Sequence, residues 1–114
     1  MARYRGLTLR VLGKRTPAMG PGKAELIERI AATGSISAAA RAMGMSYRRA
    51  WQLVEALNQD YRSRVVATAA GGTRGGGARV TPFGLRVLAE YRAMEEKASA
   101  AIAGELRRFK RYIP

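Results

Sequence analysis

The sequence predicts a mainly α domain with a small β-hairpin and a long C-terminal helix. Three observations predict it. Apolar residues recur every three or four positions over 23–33, 37–61 and 82–112, the spacing of a helix face. Two strand-compatible stretches within 64–81 flank a run holding five glycines, Gly71 to Gly77. Serine, threonine and glycine stand where helices should begin and end. With 114 residues, 47% of them apolar, one domain spanning 1–114 with a small core is expected.

The elements follow in order. Within 5–13, Leu7, Leu9 and Val11 alternate with Thr8, Arg10 and Leu12, which suits a short half-buried strand. Gly13 to Gly22 holds two prolines and three glycines and reads as loop. The first helix covers 23–33, with Leu26, Ile27, Ile30 and Ala31 as its stripe and Gly34 as its stop. Ser35 or Ser37 can cap a short alanine-rich helix that ends at Gly44. Ser46 caps the next helix, which runs to about Asn58 or Tyr61 and buries Ala50, Leu53 or Val54, and Leu57. Residues 64–70 and 79–81 form a hairpin around the glycines. Thr81-Pro82 starts the last helix, a capping residue followed by proline at the first helical position. Leu88, Tyr91, Met94, Ala98, Ile102, Leu106, Phe109 and Ile113 make one narrow seam along it. The seam can fold back onto the chain's own helices or pair with a second copy; a helix of ~30 residues is ~45 Å long, more than so small a core covers, which favours the second copy.

Composition excludes several functions. Lysine and arginine number 21 against 8 acidic residues, a formal net charge of +13, which points to an acidic polymer or an anionic surface as partner. Neither histidine nor cysteine occurs. The usual general base, thiol nucleophiles, disulfides and thiolate metal sites are therefore absent, and no enzyme, metal or cofactor is expected. No apolar run approaches the roughly 18–20 residues of a membrane span, and the N-terminus lacks a signal-peptide core. A cytoplasmic location without membrane insertion is the expectation.

Gly34 to Asn58 carries the functional signal. A short helix, a turn at Gly44 and a second capped helix have helix-turn-helix spacing. Ala38, Ala39, Ala40 and Ala42 permit close helix approach, and Met43 and Met45 can fill the turn. Ser46, Tyr47, Arg48, Arg49 and Gln52 fall outside the apolar stripe and are donors and acceptors of the kind that read base edges in a major groove. Ser35 and Ser37 join them as candidate contacts at the preceding helix start. The glycine-rich loop lacks the Lys-Ser/Thr pair of a nucleotide phosphate loop. As a wing, it would bring Thr73, Arg74 and Arg79 to the duplex backbone or minor groove. Trp51 lies beside the exposed face and is expected to pack against the sheet or the first helix. The architecture expected is a winged helix-turn-helix with a long C-terminal dimerisation helix, in which Leu88, Tyr91, Met94, Ala98 and Ile102 form the interface. The basic tail Arg107 to Tyr112 is open to nucleic acid, anionic lipid or plain solvation.

The run Gly34-Ser35-Ile36-Ser37-Ala38-Ala39-Ala40 through Ser46-Tyr47-Arg48-Arg49-Ala50-Trp51 resembles the N-terminal domain of the ModE family of molybdate-responsive bacterial regulators, whose helix-turn-helix is of the LysR type. The resemblance extends to Gly20-Pro21-Gly22, Asn58-Gln59, Thr68 to Ala78, and Leu85 in the turn into the last helix; it covers about residues 5–100. It implies a homodimer that binds double-stranded DNA through the third helix and the wing, with Ser46, Tyr47, Arg48, Arg49 and Gln52 as the recognition face. Family members carry molybdate-binding domains after the last helix, where this sequence ends at Pro114. Molybdate sensing is therefore not implied for these residues, and the effector is left open. The alternative expectation is a sequence-neutral architectural DNA- or RNA-binding protein driven by charge alone.

Overall fold

The helical stripes converge on one core. In the computed structural model, which describes residues 6–14, 17–69 and 77–114, β1 (Val11–Leu12) pairs antiparallel with β2 (Pro17–Met19). Helices α1 (Pro21–Thr33), α2 (Ile36–Ala42) and α3 (Tyr47–Asp60) follow. Next come β3 (Val66–Thr68) and β4 (Ala78–Val80), an antiparallel pair with Val66 opposite Val80 and Thr68 opposite Ala78. The long α4 (Pro82–Ala101), the short α5 (Ala103–Phe109) and a 3-10 turn at Lys110–Tyr112 complete the described elements. Leu26, Ile27 and Ile30 of α1 meet Ile36, Ala39 and Ala40 of α2 and Ala50, Val54 and Leu57 of α3. Val65, Val66, Val80 and Tyr91 close the same cluster from the hairpin and α4.

Local chemistry sets the helix ends. The Ser35 Oγ accepts from the Ala38 N–H, the Ser46 Oγ from Arg49 and the Thr81 Oγ1 from Gly84, so each satisfies a donor that a helix start leaves orphaned. Gly34 takes φ +70° and returns its N–H to the Ile30 carbonyl. Gly44 takes φ +69°. Around it the Met45 N–H reaches the Ala40 carbonyl and the Gly44 N–H the Arg41 carbonyl, the two bonds of a Schellman motif. Met43 is buried and Met45 half-buried inside this turn, as the sequence suggests. These bonds fix the direction in which α3 leaves α2.

The hairpin is tied to the helices by polar groups. The Asn58 Oδ1 accepts from both Val65 and Val66 N–H at 2.8 and 3.0 Å, and its Nδ2 donates to the Val66 carbonyl at 3.0 Å. The Ala78 N–H donates to the Gly34 carbonyl, so β4 docks on the turn between α1 and α2. At the other end Thr81 donates its N–H to the Val65 carbonyl at 3.0 Å and its hydroxyl to the Arg64 carbonyl at 2.6 Å. A Cβ on Gly84 would lie 2.4 Å from the Val65 oxygen. Only glycine permits that approach of α4 to the hairpin. Further along, Arg92 of α4 pairs with Glu28 of α1 and with Glu95, each at 2.6 Å, which pins α4 across α1 and raises the guanidinium pKa. The Tyr91 hydroxyl donates to the Leu9 carbonyl and the Tyr61 hydroxyl to the Ala18 carbonyl. Burial and the neighbouring Asp60 charge hold Tyr61 above the usual tyrosine pKa.

The structure differs from the sequence expectation in five places. The strand expected within 5–13 shrinks to Val11–Leu12. Its partner, Pro17–Met19, lies in a stretch expected to be loop, and α1 begins two residues early at Pro21. Proline is tolerated there because it opens an edge strand whose register is already irregular. The hairpin strands span 66–68 and 78–80 rather than 64–70 and 79–81. The last helix is not one rod to residue 112. It breaks at Ile102, whose φ of −109° and ψ of 14° leave the helical range, two residues before Gly104, a weak helix former.

Gly84 and Gly104 give a paired prediction. Gly84→Ala should cost about 2 kcal/mol or more, because overpacking against a backbone oxygen outweighs the ~1 kcal/mol helix preference of alanine. Gly104→Ala meets nothing closer than the Arg108 side chain at 3.7 Å and should be neutral or stabilising by up to ~1 kcal/mol. Urea denaturation of both variants reads the difference.

Candidate nucleic-acid interface

The α3 helix divides cleanly by face. Ala50, Val54 and Leu57 point into the core, and Leu53 is half-buried beside them. Each helical residue turns by about 100°, so Tyr47, Arg48, Trp51, Gln52 and Glu55 gather on the opposite side with Arg49 at its edge; all six are exposed. The structure thus brings together Ser46, Tyr47, Arg48, Arg49 and Gln52 at the start of one helix. The Ser46 oxygen is engaged by the Arg49 N–H, and its hydroxyl proton is still able to donate.

The remaining candidates sit around that face in different ways. Ser35 is half-buried and its oxygen caps α2; Ser37 is exposed in the first turn of the same helix. Arg79 is exposed in the middle of β4. Thr73 and Arg74 lie outside the described residues. Arg10, Lys23, Met43, Met45, Arg49 and Gln52 line a groove beside the turn before α3. A second groove, between α3 and β3, is lined by Trp51, Glu55, Asn58, Arg64 and Thr68.

Ion pairing separates two kinds of arginine. Arg29 pairs with Glu25 and Arg92 with Glu28 and Glu95. Arg48, Arg49, Arg64 and Arg79 are exposed and make no ion pair among the described residues. Among the described residues their charge has no carboxylate partner, which is the electrostatic footprint of a surface for polyanions. Among the described residues no group of carboxylates could hold a metal ion, and no helix is long and apolar enough to cross a membrane.

The packing qualifies one sequence expectation and corrects another. Trp51, expected to pack against the sheet or the first helix, borders the groove toward β3 and lies outside the core cluster. It is 36% exposed and stacks on Tyr47, ring centroids 6.5 Å apart and planes 13° from parallel. The signal was present in the sequence, since Trp51 follows Tyr47 by four and falls off the stripe of Ala50, Val54 and Leu57. Tyr91, expected in an intermolecular seam, is buried in its own chain with its hydroxyl on the Leu9 carbonyl, and Leu88 packs half-buried against the same core. Met94 is exposed and Ala98 and Ile102 are half-buried. Asn58 is a positioning residue that the polar pattern alone did not single out, because its role depends on a hairpin seven and eight residues later.

The fold and this face define a class of protein. The family described as bacterial regulatory helix-turn-helix proteins, lysR family, matches residues 22–85, from the start of α1 to the first turn of α4. The chain belongs to that family. Among curated relatives, the molybdenum-pterin-binding protein MopB of Rhodobacter capsulatus is 46% identical over 91 residues, covering 80% of this chain and 33% of that protein. The molybdenum transport protein ModE of Azotobacter vinelandii is 35% identical over 85 residues, 75% of this chain and 32% of that protein. The DNA-binding transcriptional dual regulator ModE of Escherichia coli (strain K12) is 39% identical over 71 residues, 62% and 27%. The chain thus spans about a third of the length of the curated relatives it matches. Among solved structures, ArgP from Mycobacterium tuberculosis superposes with a TM-score of 0.51 at 25% identity, covering 75% of this chain and 31% of that one. The architecture is a winged helix-turn-helix.

Replacing Asn58 should loosen the hairpin before it disturbs the helices. Asn58→Leu leaves two backbone N–H groups without their side-chain acceptor and should cost about 2–3 kcal/mol. Hydrogen exchange should show residues 65–68 losing protection while the α1 amides keep theirs.

Proposed function

We propose that the chain is a dimeric transcription regulator that binds double-stranded DNA sequence-specifically, with no chemistry of its own. The observation that carries this reading is the exposed start of α3. There Tyr47, Arg48 and Gln52 share one face with Arg49 at its edge, the arginines make no ion pair among the described residues, and the chain's net charge is +13. That face enters the major groove, where arginine pairs with guanine and glutamine with adenine. Ser35, Ser37 and Ser46 at the two helix starts, and Arg79 on the hairpin with Thr73 and Arg74, contact phosphate or the minor groove. Phosphate contacts supply most of the affinity and α3 the specificity. Membership of a regulatory helix-turn-helix family, and a relative described as a DNA-binding dual regulator, support the reading. The molybdenum-related names belong to proteins about three times as long as the matched stretch, and no molybdate site is assigned to these residues.

The dimer is placed on the part of α4 that leaves the core. The apolar seam continues past Tyr91 as Met94, Ala98 and Ile102, and Met94 is 46% exposed. A two-fold partner on this surface would match a palindromic site. Met94→Glu should convert a sedimenting dimer to monomer without lowering the melting temperature of the isolated domain by more than a few degrees. A variant that still sediments as a dimer would move the interface elsewhere.

Selection from a random duplex library at ~150 mM salt tests the function, since pure charge contacts are already weakened there. Enrichment of a two-fold-symmetric sequence, with half-sites about 34–36 Å apart, is the expected result. Binding at low salt with no enriched sequence would instead favour an architectural DNA- or RNA-binding protein. On the enriched site, Arg49→Ala should lower affinity about five- to 150-fold, a loss of ~1–3 kcal/mol, and change binding to random DNA much less. Equal losses on both would assign Arg49 to phosphate.

A further inference from the structure

The charged and amide side chains of α3 leave its aromatic pair unexplained. Tyr47 and Trp51 stand one helical turn apart with nearly parallel rings, and both are exposed, at 55% and 36%. Neither belongs to the core cluster. Arg48 and Gln52 lie beside them on the same outward side. Trp51 also borders the groove toward β3 with Arg64 and Thr68, so the pair sits between the base-reading side chains and the hairpin. Exposed stacked rings present a sizeable apolar surface to water and gain most by covering another apolar group.

On a DNA-reading helix the choice of such groups is narrow. Major-groove edges offer hydrogen-bond donors and acceptors throughout, and one apolar feature, the C5 methyl of thymine. Phosphates are met by the exposed arginines beside the pair, Arg48 and Arg64, rather than by the ring faces, which cannot compensate their charge. We infer that the Tyr47–Trp51 pair is a specificity-determining surface that packs on thymine C5 methyls and thereby selects thymine over cytosine at the positions it covers. The inference rests on the proposed major-groove reading by α3 and adds to it the kind of base that this edge of the helix accepts.

Deoxyuridine isolates the contact, since it differs from thymine only by the missing methyl. In the duplex enriched from the random library, thymines are replaced one at a time and binding of the full chain is measured. One or two positions per half-site should lose affinity on the order of fourfold, the transfer value of one buried methyl. In Trp51→Ala or Tyr47→Ala the same replacements should lose little or nothing further, and both side chains lie outside the core, so the variants should fold. Trp51 is the one tryptophan of the sequence, so its emission should shift to the blue or be quenched by the enriched duplex. A preferred duplex that tolerates deoxyuridine at every position would overturn the inference while leaving sequence-specific binding intact. So would a methyl penalty that persists unchanged in both variants. A chain with no preferred duplex at all would overturn this inference together with the reading beneath it.

Discussion

The peptide of Val65 is held from three sides, and the placement of the hairpin and the last helix depends on it. Its N–H is bound by Asn58 at the end of α3, its carbonyl by the Thr81 N–H, and Gly84 of α4 comes so close to that oxygen that no side chain fits. The end of α3, the start of the hairpin and the start of α4 therefore meet at one backbone unit. Buried backbone groups must be paired, so an alternative arrangement would have to satisfy the same groups elsewhere. The hairpin is fixed again at its far side, where Ala78 bonds to the Gly34 carbonyl in the turn between α1 and α2. The α3 helix and the hairpin are in this way referred to one frame. A face built on rigid elements keeps its donors aligned without an entropy cost on binding.

Charge and shape divide the work on that frame. In the proposed reading, the long-range charge of the exposed arginines draws the chain to a polyanion over distances comparable to the Debye length, about 8–10 Å at physiological salt, and this attraction carries no sequence information. Discrimination in the same reading falls to side chains held at fixed angles at the capped start of α3, where Ser46 and the Schellman turn at Gly44 set the helix direction. The arginines nearer the core serve the fold instead, as Arg92 does between Glu28 and Glu95. Its geometry is partly exposed, so the energetic gain is modest; what it provides is the angle of α4 across α1.

Much of this was legible in the sequence, for a physical reason. Helix starts and stops are local: Ser35, Ser46 and Thr81 bond three residues ahead, and Gly34 and Gly44 answer a backbone need for positive φ. The stripe of Ala50, Val54 and Leu57 follows from helical period alone. What was not legible depends on partners distant in the chain. The strand at Pro17–Met19 exists because Val11 and Leu12 lie alongside it, against the preference of proline. Tyr91 carries a seam pattern indistinguishable from that of Met94 or Ile102, and only the Leu9 carbonyl, 82 residues away, decides that it faces inward. The break at Ile102 needed the local backbone geometry, since the apolar period continues across it.

A hydrogen-exchange footprint of the full chain, free and bound to a duplex carrying its preferred site, would test the central claim most directly. Slowed exchange at the start of α3, in the turn before it and in the hairpin flanks, with α1 unchanged, is the predicted result. Slowing confined to the basic segment after Ile102, with the α3 amides unaffected, would contradict the account and make charge alone the basis of binding.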